Sequence, residues 1–331
     1  MIYNRPEYWL AKTETVVPYL TFSSPNSFTL AVGDATKHWD GTLEYSTNKT
    51  TWDTWDGTTT LSSATSGSNN VLYLRGAGNT KIGYYDEVGE DDYIPWVISG
   101  ADVRCNGNIE TLLDYATVEA GQHPTMAEED CFAGLFIGCT ALITPPELLA
   151  TTLKNYCYSF MFYGCTSLTQ APVLPATTLA EYCYSSMFQG CSNLTQAPAL
   201  PATTLADHCY RNMFYNCTNL TQAPKLPATT LAMECYNSMF YNCTALTQAP
   251  ALPATTLTVG CYLSMFQGCA SLKLSSTQTG EYTIAYRIPT TGTGTTAISA
   301  LTNMFASTGG TFTRTPSINT TYYLSNTNTV V

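Results

Sequence analysis

The residues that most suggest chemistry are twelve cysteines at two fixed positions of a repeated segment. Neighbouring thiols can form disulfides, and thiolates bind zinc. The first position recurs at a constant step of 26 along the chain, and the second always follows the first by 8. The first set is Cys131, Cys157, Cys183, Cys209, Cys235 and Cys261, and the second set is Cys139, Cys165, Cys191, Cys217, Cys243 and Cys269.

We interpret these cysteines as core residues rather than as a disulfide framework or a zinc site. Tyr, Met and Phe follow most of the first cysteines, and free cysteine behaves as a small apolar residue. In a less regular last unit Ala300 and Thr308 stand at the cysteine positions, which would leave any disulfide partner unpaired. A spacing of 8 is also unlike that of a zinc knuckle. The sequence therefore predicts no metal and no cofactor.

Other catalytic signatures are weak. The three histidines, His38, His123 and His208, are too scattered to indicate a catalytic triad. His208 belongs to a column that varies from unit to unit, so we interpret it as a solvent-exposed side chain. The chain has no P-loop, dinucleotide-binding or zinc-protease motif. The sequence predicts that the protein is not an enzyme.

The acidity of the chain is concentrated at its front. Residues 1–130 carry 7 Lys and Arg against 19 Asp and Glu, whereas residues 131–331 carry 6 against 5. A nearly neutral repeat region has no basic stripe, so we expect no nucleic-acid partner. The acidic cluster at 86–92 offers the oxygen ligands that Ca²⁺ prefers, although its spacing is not that of an EF-hand. We interpret the cluster as a solvated acidic loop, with a Ca²⁺ site as the alternative.

The fixed period itself indicates a solenoid. In most units Cys-Tyr-x-x-Met-Phe has the i, i+3, i+4 spacing of a helical turn, and a Gly or Asn follows where a helix end adopts left-handed geometry. The next segment, Leu-Thr-Gln-Ala-Pro, contains a proline that favours an irregular or edge strand. Thr-Thr-Leu then returns the chain to the next unit.

The chain divides into four parts by pattern. Residues 1–100 show short alternating runs separated by turn residues, which predict an all-β, sandwich-like base domain. Residues 101–130 are interpreted as an N-terminal cap or degenerate repeat with a short helix capped by Asn108. Residues 131–275 hold the regular repeats. Residues 276–331 are interpreted as a degenerate repeat and a C-terminal cap.

The repeat pattern Cys-x-x-x-Met-Phe-x-x-Cys-x-x-Leu-Thr-x-x-Pro-x-Leu-Pro resembles the BspA-type (Treponema pallidum-type) leucine-rich-repeat proteins of gut and oral bacteria. The form Ala-Pro-Ala-Leu-Pro-Ala-Thr-Thr-Leu is similar to versions in gut Bacteroidales and their phages. The resemblance covers residues 100–331, including the junction at 107–113 and the ending at 304–322. It implies an α/β leucine-rich-repeat solenoid that serves adhesion or recognition at a surface, with no catalytic residues.

Columns that vary between units are the positions at which binding specificity is expected, because packing constrains them least. Tyrosine suits this role, since it offers a rigid ring with a polar tip. The alternative is that these columns are merely tolerant solvent positions. The predicted ligand-binding face comprises Tyr163, Gln189, Arg211, Tyr215, Asn237, Tyr241 and Gln267.

These observations together predict a non-enzymatic recognition or adhesion protein of a phage virion that binds a host protein or glycan. A bacterial cell-surface or secreted protein, a structural or decoration protein of a viral particle, and an intracellular scaffold or effector are the alternatives. No apolar segment of signal-peptide or membrane-span type occurs in the sequence, so we expect neither. Residues 1–100 are the expected contact with a virion partner or a second copy.

Overall fold

The structure, a computed structural model, describes residues 17–83, 85–86 and 92–331. The front of the chain forms short strands and one helix. These elements are β1 (Leu20–Ser24), β2 (Thr29–Val32), β3 (Thr42–Ser46), β4 (Asp53–Trp55), β5 (Leu61–Ser62), β6 (Ala64–Ser66), β7 (Asn69–Ala77), β8 (Tyr85–Asp86), β9 (Asp92–Tyr93), β10 (Trp96–Ser99), β11 (Val103–Asn106) and α1 (Thr111–Glu119).

The rest of the chain has fewer and shorter strands, most of them near its end. They are β12 (Leu142–Thr144), β13 (Gln248–Ala249), β14 (Lys273–Ser275), β15 (Tyr282–Arg287), β16 (Gly309–Gly310), β17 (Thr321–Ser325) and β18 (Thr329–Val330).

Two front sheets enclose an aromatic core. The larger has the order β12-β11-β1-β7-β3-β4, with β6 also paired to β7, and the smaller has the order β10-β2-β5. Burial alternates along β1, as expected of a strand with one face on a core. Trp39, Trp55 and Trp96 are buried, and Trp55 contacts both of the others at ring-centroid distances of 5.2 and 5.5 Å.

The front and the repeats share this core. Strand β12, which belongs to the first repeat unit, pairs in parallel with β11, and the ring of Trp96 lies 6.0 Å from that of Phe136. The junction helix α1 begins three residues after Asn108, whose Oδ1 accepts a hydrogen bond from the Glu110 amide at 3.0 Å. Extended backbone at Asp114 interrupts α1.

The predicted α/β leucine-rich-repeat class is wrong. Over the residues that it describes, the structure is nearly all β, with 3% helix and 24% strand in several small sheets, none of them closed. The helical turn predicted after each first cysteine is replaced by consecutive tight turns. In the second unit the amides of Ser159, Met161 and Tyr163 each donate to the carbonyl three residues earlier, at 2.8, 3.3 and 3.0 Å.

The intervening amides explain why no helix forms. Tyr158, Phe160 and Phe162 donate instead to carbonyls of the next unit, at 3.0, 2.9 and 3.0 Å. An α-helix would satisfy every amide within its own segment and would leave none to join neighbouring units. Every fourth residue is left-handed, as at Tyr156 (φ 56°), Phe160 (φ 55°) and Gly164 (φ 69°). The prediction of left-handed Gly or Asn is therefore confirmed, although no helix ends there.

Successive units stack residue on residue. Phe162 lies between Phe136 and Phe188 in near-parallel rings, with centroids 5.7 Å apart on each side. The Cys165 thiol donates to the Phe136 carbonyl at 3.0 Å. All thirteen cysteines are free and buried, which confirms their interpretation as core residues. In the extended segments the Thr221 amide donates to the Thr195 carbonyl at 3.1 Å.

The last unit keeps the register after the insertion. The Tyr262 amide donates to the Ala300 carbonyl at 2.9 Å, and the rings of Phe266 and Phe305 stack at 5.6 Å. Ala300 thus takes the place of the first cysteine, as predicted. A four-stranded sheet with the order β15-β17-β14-β16 is built from two strands before Ala300 and two after it, and β18 pairs in parallel with β13.

Candidate functional site

A groove of about 800 Å³ runs over the tight turns of the first units, and we call it the aromatic groove. Tyr93 contributes from the front of the chain, and the remaining side chains come from the repeat units. The lining residues are Tyr93, Asp130, Ile137, Tyr156, Ser159, Phe160, Tyr163, Tyr182, Ser185, Ser186, Gln189, Arg211 and Asn212.

Backbone conformation brings these side chains to one surface. Three positions of each unit between Tyr156 and Asn216 have positive φ, with values between 53° and 77°. They are the residue just before the first cysteine and the residues three and seven positions after that cysteine. Such a residue reverses the local direction of the chain, so a surface side chain can directly follow a pair of core side chains. Met161 and Phe162 are buried, whereas Tyr163 is 36% exposed. The surface columns therefore repeat once per unit, as the core columns do.

Aromatic rings form a continuous stack along the groove. Tyr182 lies between Tyr156 and His208 in nearly parallel planes, with ring centroids 4.9 and 4.3 Å apart. Phe160 contacts Tyr163 at 5.8 Å and Tyr93 at 5.5 Å. Stacked and tilted rings at these distances attract each other beyond simple burial. The groove wall is thus held in place before any ligand arrives.

The ring stack ends in a polar cluster. Three nitrogens converge on Oε2 of Glu234: Nδ2 of Asn237 at 2.8 Å, Nη1 of Arg211 at 3.4 Å and Nδ1 of His208 at 3.5 Å. His208 is only 6% exposed, so its interpretation as a solvent-exposed histidine is wrong. His208 is covered, although its column varies between units, because its flat ring lies against Tyr182.

The groove brings together three of the seven predicted residues, Tyr163, Gln189 and Arg211. The others lie further along the array. Tyr215 and Tyr241 stack on each other with centroids 4.5 Å apart and planes 4° from parallel. Gln267 is half-buried. Asn237 is buried and donates to Glu234, which pairs with the groove residue Arg211, so Asn237 acts on the groove through Glu234 instead of facing a ligand.

Ten of the thirteen lining residues are absent from the predicted face, among them the aromatic residues Phe160 and Tyr93. Phe160 stands in a column that otherwise reads Gly, Ser, Asn, Ser and Ser in the regular units, and one aromatic in a column of small or polar residues was a usable signal. Tyr93 is supplied by the front of the chain, far before Phe160 in the sequence. No local pattern indicates such a distant contact.

Charge in the groove is sparse. Of its described lining residues, Asp130 and Arg211 carry charge. Desolvation by burial, and then the neighbouring Glu129, raise the pKa of Asp130, while Lys81 opposes this shift. Arg211 is paired with Glu234. The groove therefore presents no concentrated cationic or anionic field.

No family model matches this chain, and no curated protein or solved structure does. The resemblance to the BspA-type proteins stays a prediction that rests on the repeat residues.

A second feature lies beside helix α1. Glu110 is fully buried, and its Oε2 accepts hydrogen bonds from Nδ1 of His123 at 2.6 Å and from Nδ2 of Asn108 at 3.0 Å. Its Oε1 has no partner. Cavities of about 430 and 210 Å³ both reach His123. These three residues all lie in the segment of the chain between strand β11 and the first repeat unit.

The remaining predictions on sites concern metals and membranes. Most of the acidic cluster at 86–92 lies outside the described residues, so its interpretation as a solvated loop stays a prediction, with a Ca²⁺ site as the alternative. Across residues 17–83, 85–86 and 92–331 no group of three or more His, Cys, Asp or Glu side chains is placed to hold a metal ion. Within the same ranges, no helix has the length and apolar character that crossing a membrane requires.

Proposed function

We propose that this protein is a non-enzymatic recognition protein that binds a ligand on a cell surface through the aromatic groove. The observation that carries the proposal is the preformed ring stack, partly exposed at Tyr156 and Tyr182 and ending at the buried His208, above a backbone whose amides are hydrogen-bonded. Rigid aromatic side chains give contact area at low entropic cost, which is why they dominate binding hot spots.

The polar cluster beside the stack supports binding more than catalysis. Oε2 of Glu234 accepts a hydrogen bond from Asn237 and pairs with Arg211, while Nδ1 of His208 lies 3.5 Å away and has no hydrogen-bond partner among the described residues. His208 is buried under Tyr182, so its ring is screened from a substrate in the groove. A general base must instead reach the proton that it removes.

For the biological setting we propose display on a phage virion, with residues 1–100 as the attachment region. The resemblance of the repeats to the BspA-type proteins supports a surface role. A bacterial surface protein is the alternative, and a structural particle protein or an intracellular scaffold follows it.

The test is adhesion of whole cells to the immobilised full-length chain. A panel of gut Bacteroidales strains is washed over the wild type and over the double variant Tyr163→Ser/Gln189→Ala. We expect the wild type to retain at least one strain and the double variant to retain it about tenfold less, the size of a single hot-spot contact.

Val173→Ser is the matched control, because Val173 lies in the same unit as Tyr163, is 71% exposed and lies outside the groove. It should bind like the wild type. Equal retention by all three proteins, or by none, would contradict the proposal.

A further inference from the structure

We propose that the ligand of the aromatic groove is a neutral carbohydrate chain. This inference rests on the function proposed above and names the class of ligand. Three properties of the groove carry it: the state of its backbone, the arrangement of its rings and polar tips, and its charge.

The groove backbone from Asp130 onward has no free N–H donor to offer a peptide. Each of the twelve lining residues from Asp130 onward donates its amide N–H to another backbone carbonyl. Tyr156 donates to Glu181 and Phe160 to Ser185, both at 2.9 Å, while Gln189 donates to Ser186 at 3.1 Å. Peptides that bind in extended form add a strand to a sheet edge with unpaired backbone groups. The groove lacks such an edge, so side chains must supply recognition.

Those side chains combine flat rings with planar or small polar groups. Tyr163 and Phe160 present ring surface, and Gln189, Ser159 and Asn212 line the same cavity. A pyranose has the complementary surface, since one face carries C–H groups that pack on a ring while its rim carries hydroxyls that donate and accept. Amide and hydroxyl groups can satisfy both roles of a sugar hydroxyl.

Arg211 adds an oriented donor. Its guanidinium lies 3.4 Å from Oε2 of Glu234, and Asn237 holds the same oxygen at 2.8 Å. The side chain of Arg211 is 39% exposed, so its remaining N–H groups face solvent at the groove. An arginine fixed by a neighbour loses less entropy when it binds a ligand.

Charge decides between neutral and acidic sugars. Arg211 is balanced by Glu234, and Asp130 is the other charged side chain among the described lining residues. A phosphorylated or carboxylated sugar would meet no surplus of positive charge. A neutral hexose chain avoids the cost of burying an unpaired anion.

The inference is tested on the same immobilised chain with treated cells. A retained strain is exposed either to periodate, which destroys the vicinal diols of sugars, or to a protease. We expect periodate to reduce retention at least tenfold and the protease to leave it within about threefold. Groove-dependent retention that survives periodate would overturn the carbohydrate ligand and leave the proposed recognition function intact.

A second measurement does not depend on cells. Soluble gluco-, manno- and galacto-oligosaccharides are titrated into the full-length protein, and saturation transfer from protein to sugar protons is recorded by NMR. We expect one series to bind, Tyr163→Phe to stay within about threefold of the wild type and Tyr163→Ala to lose about tenfold, because the ring carries the contact. Absence of transfer to every sugar, together with loss of cell retention on protease treatment, would overturn the inference.

Discussion

The front of the chain and the repeat array build their hydrophobic cores in opposite ways. The front pairs strands that are distant in sequence, such as Phe22 opposite Leu72, around a core of mixed residue types. The array builds its interior from a few residue types that meet copies of themselves one unit away. A unit of the array depends on its neighbours alone, whereas the front must assemble as a whole. The two regions should therefore fail under different conditions.

The largest expected difference is at alkaline pH. Burial raises the pKa of the Cys261 thiol to about 11 and that of Cys183 to about 12, from 9.0. It also raises the pKa of the stacked Tyr184. A folded pKa above the unfolded value gives stability that is fully present below about pH 9 and is lost as the pH rises toward the folded value. Each thiol then removes on the order of 1 kcal/mol per pH unit.

The summed loss of unfolding free energy from twelve such thiols exceeds the whole stability of an ordinary domain, which is about 5–15 kcal/mol. We expect the array to unfold between about pH 9 and 11, ahead of the front. All five tryptophans lie before position 100, so their fluorescence reports on the front, whereas 15 of the 23 tyrosines lie after it, so tyrosinate absorbance reports mainly on the rest of the chain. A fluorescence change that precedes tyrosine ionisation would contradict this order.

The next largest effect is expected from Phe188→Ala. Phe188 is fully buried and stacks on Phe162 and Phe214 at 5.7 Å. Removing the ring should lower the free energy of unfolding by about 3–5 kcal/mol, measured by urea titration. Phe188→Leu, which keeps most of the volume, should cost less than about 1.5 kcal/mol.

Hydrogen exchange then shows whether the damage from Phe188→Ala spreads. We expect faster exchange in the units on either side of Phe188 and unchanged protection in β1 and β7 of the front. Equal acceleration in both regions would mean that the array does not respond through nearest neighbours.

A smaller effect is expected where the two regions join. His123→Ala removes the 2.6 Å hydrogen bond to Glu110 and leaves a buried carboxylate with one donor fewer. We expect a loss of about 1–3 kcal/mol in unfolding free energy. The matched control is His38→Ala, because His38 pairs with the more exposed Asp34 at 2.8 Å and should cost at most about 1 kcal/mol. Equal losses would mean that burial of the carboxylate is irrelevant.

The smallest effect is expected on the surface of the array. Tyr215→Ala removes the stacking partner of Tyr241 at 4.5 Å, and both rings are half-buried. An exposed pair of this kind contributes about 0.5–1.5 kcal/mol, so the variant should stay folded with a slightly lower thermal midpoint. A loss as large as that of Phe188→Ala would contradict the division into core and surface columns.

The success of the sequence predictions also differs between features that depend on the constant step between units and features that depend on local spacing. The constant step between units predicts stacked columns, because any residue that recurs at that step meets its own copy. Three observations follow from that constant step: Cys157 is buried, Asn216 is left-handed, and Ala300 occupies the first cysteine position of the last unit. The predictions failed where local spacing was ambiguous. Tyr158, Met161 and Phe162 have the spacing of a helical turn, but consecutive tight turns place them on the core equally well.

The groove was predicted in part for a related reason. Variable columns identified Tyr163, Gln189 and Arg211 on one surface. Variation did not reveal that His208 is covered, because a flat ring can be buried by stacking without being constant in sequence. Nor did it reveal Tyr93, which approaches Phe160 only once the front sheet has formed. Contacts between distant segments carry no local signal.

In the tight turns, amides alternate between carbonyls of their own unit and carbonyls of the next unit. This alternation also bears on how the gene of such a chain evolves. Each unit donates to the next with the same set of bonds, as Tyr158 does to Cys183 and Tyr184 to Cys209, both at 3.0 Å. An in-frame duplication of one unit would therefore meet a matching template on both sides. We expect copy number to vary among related genes, and each new copy to lengthen the groove surface while its variable columns are free to diverge.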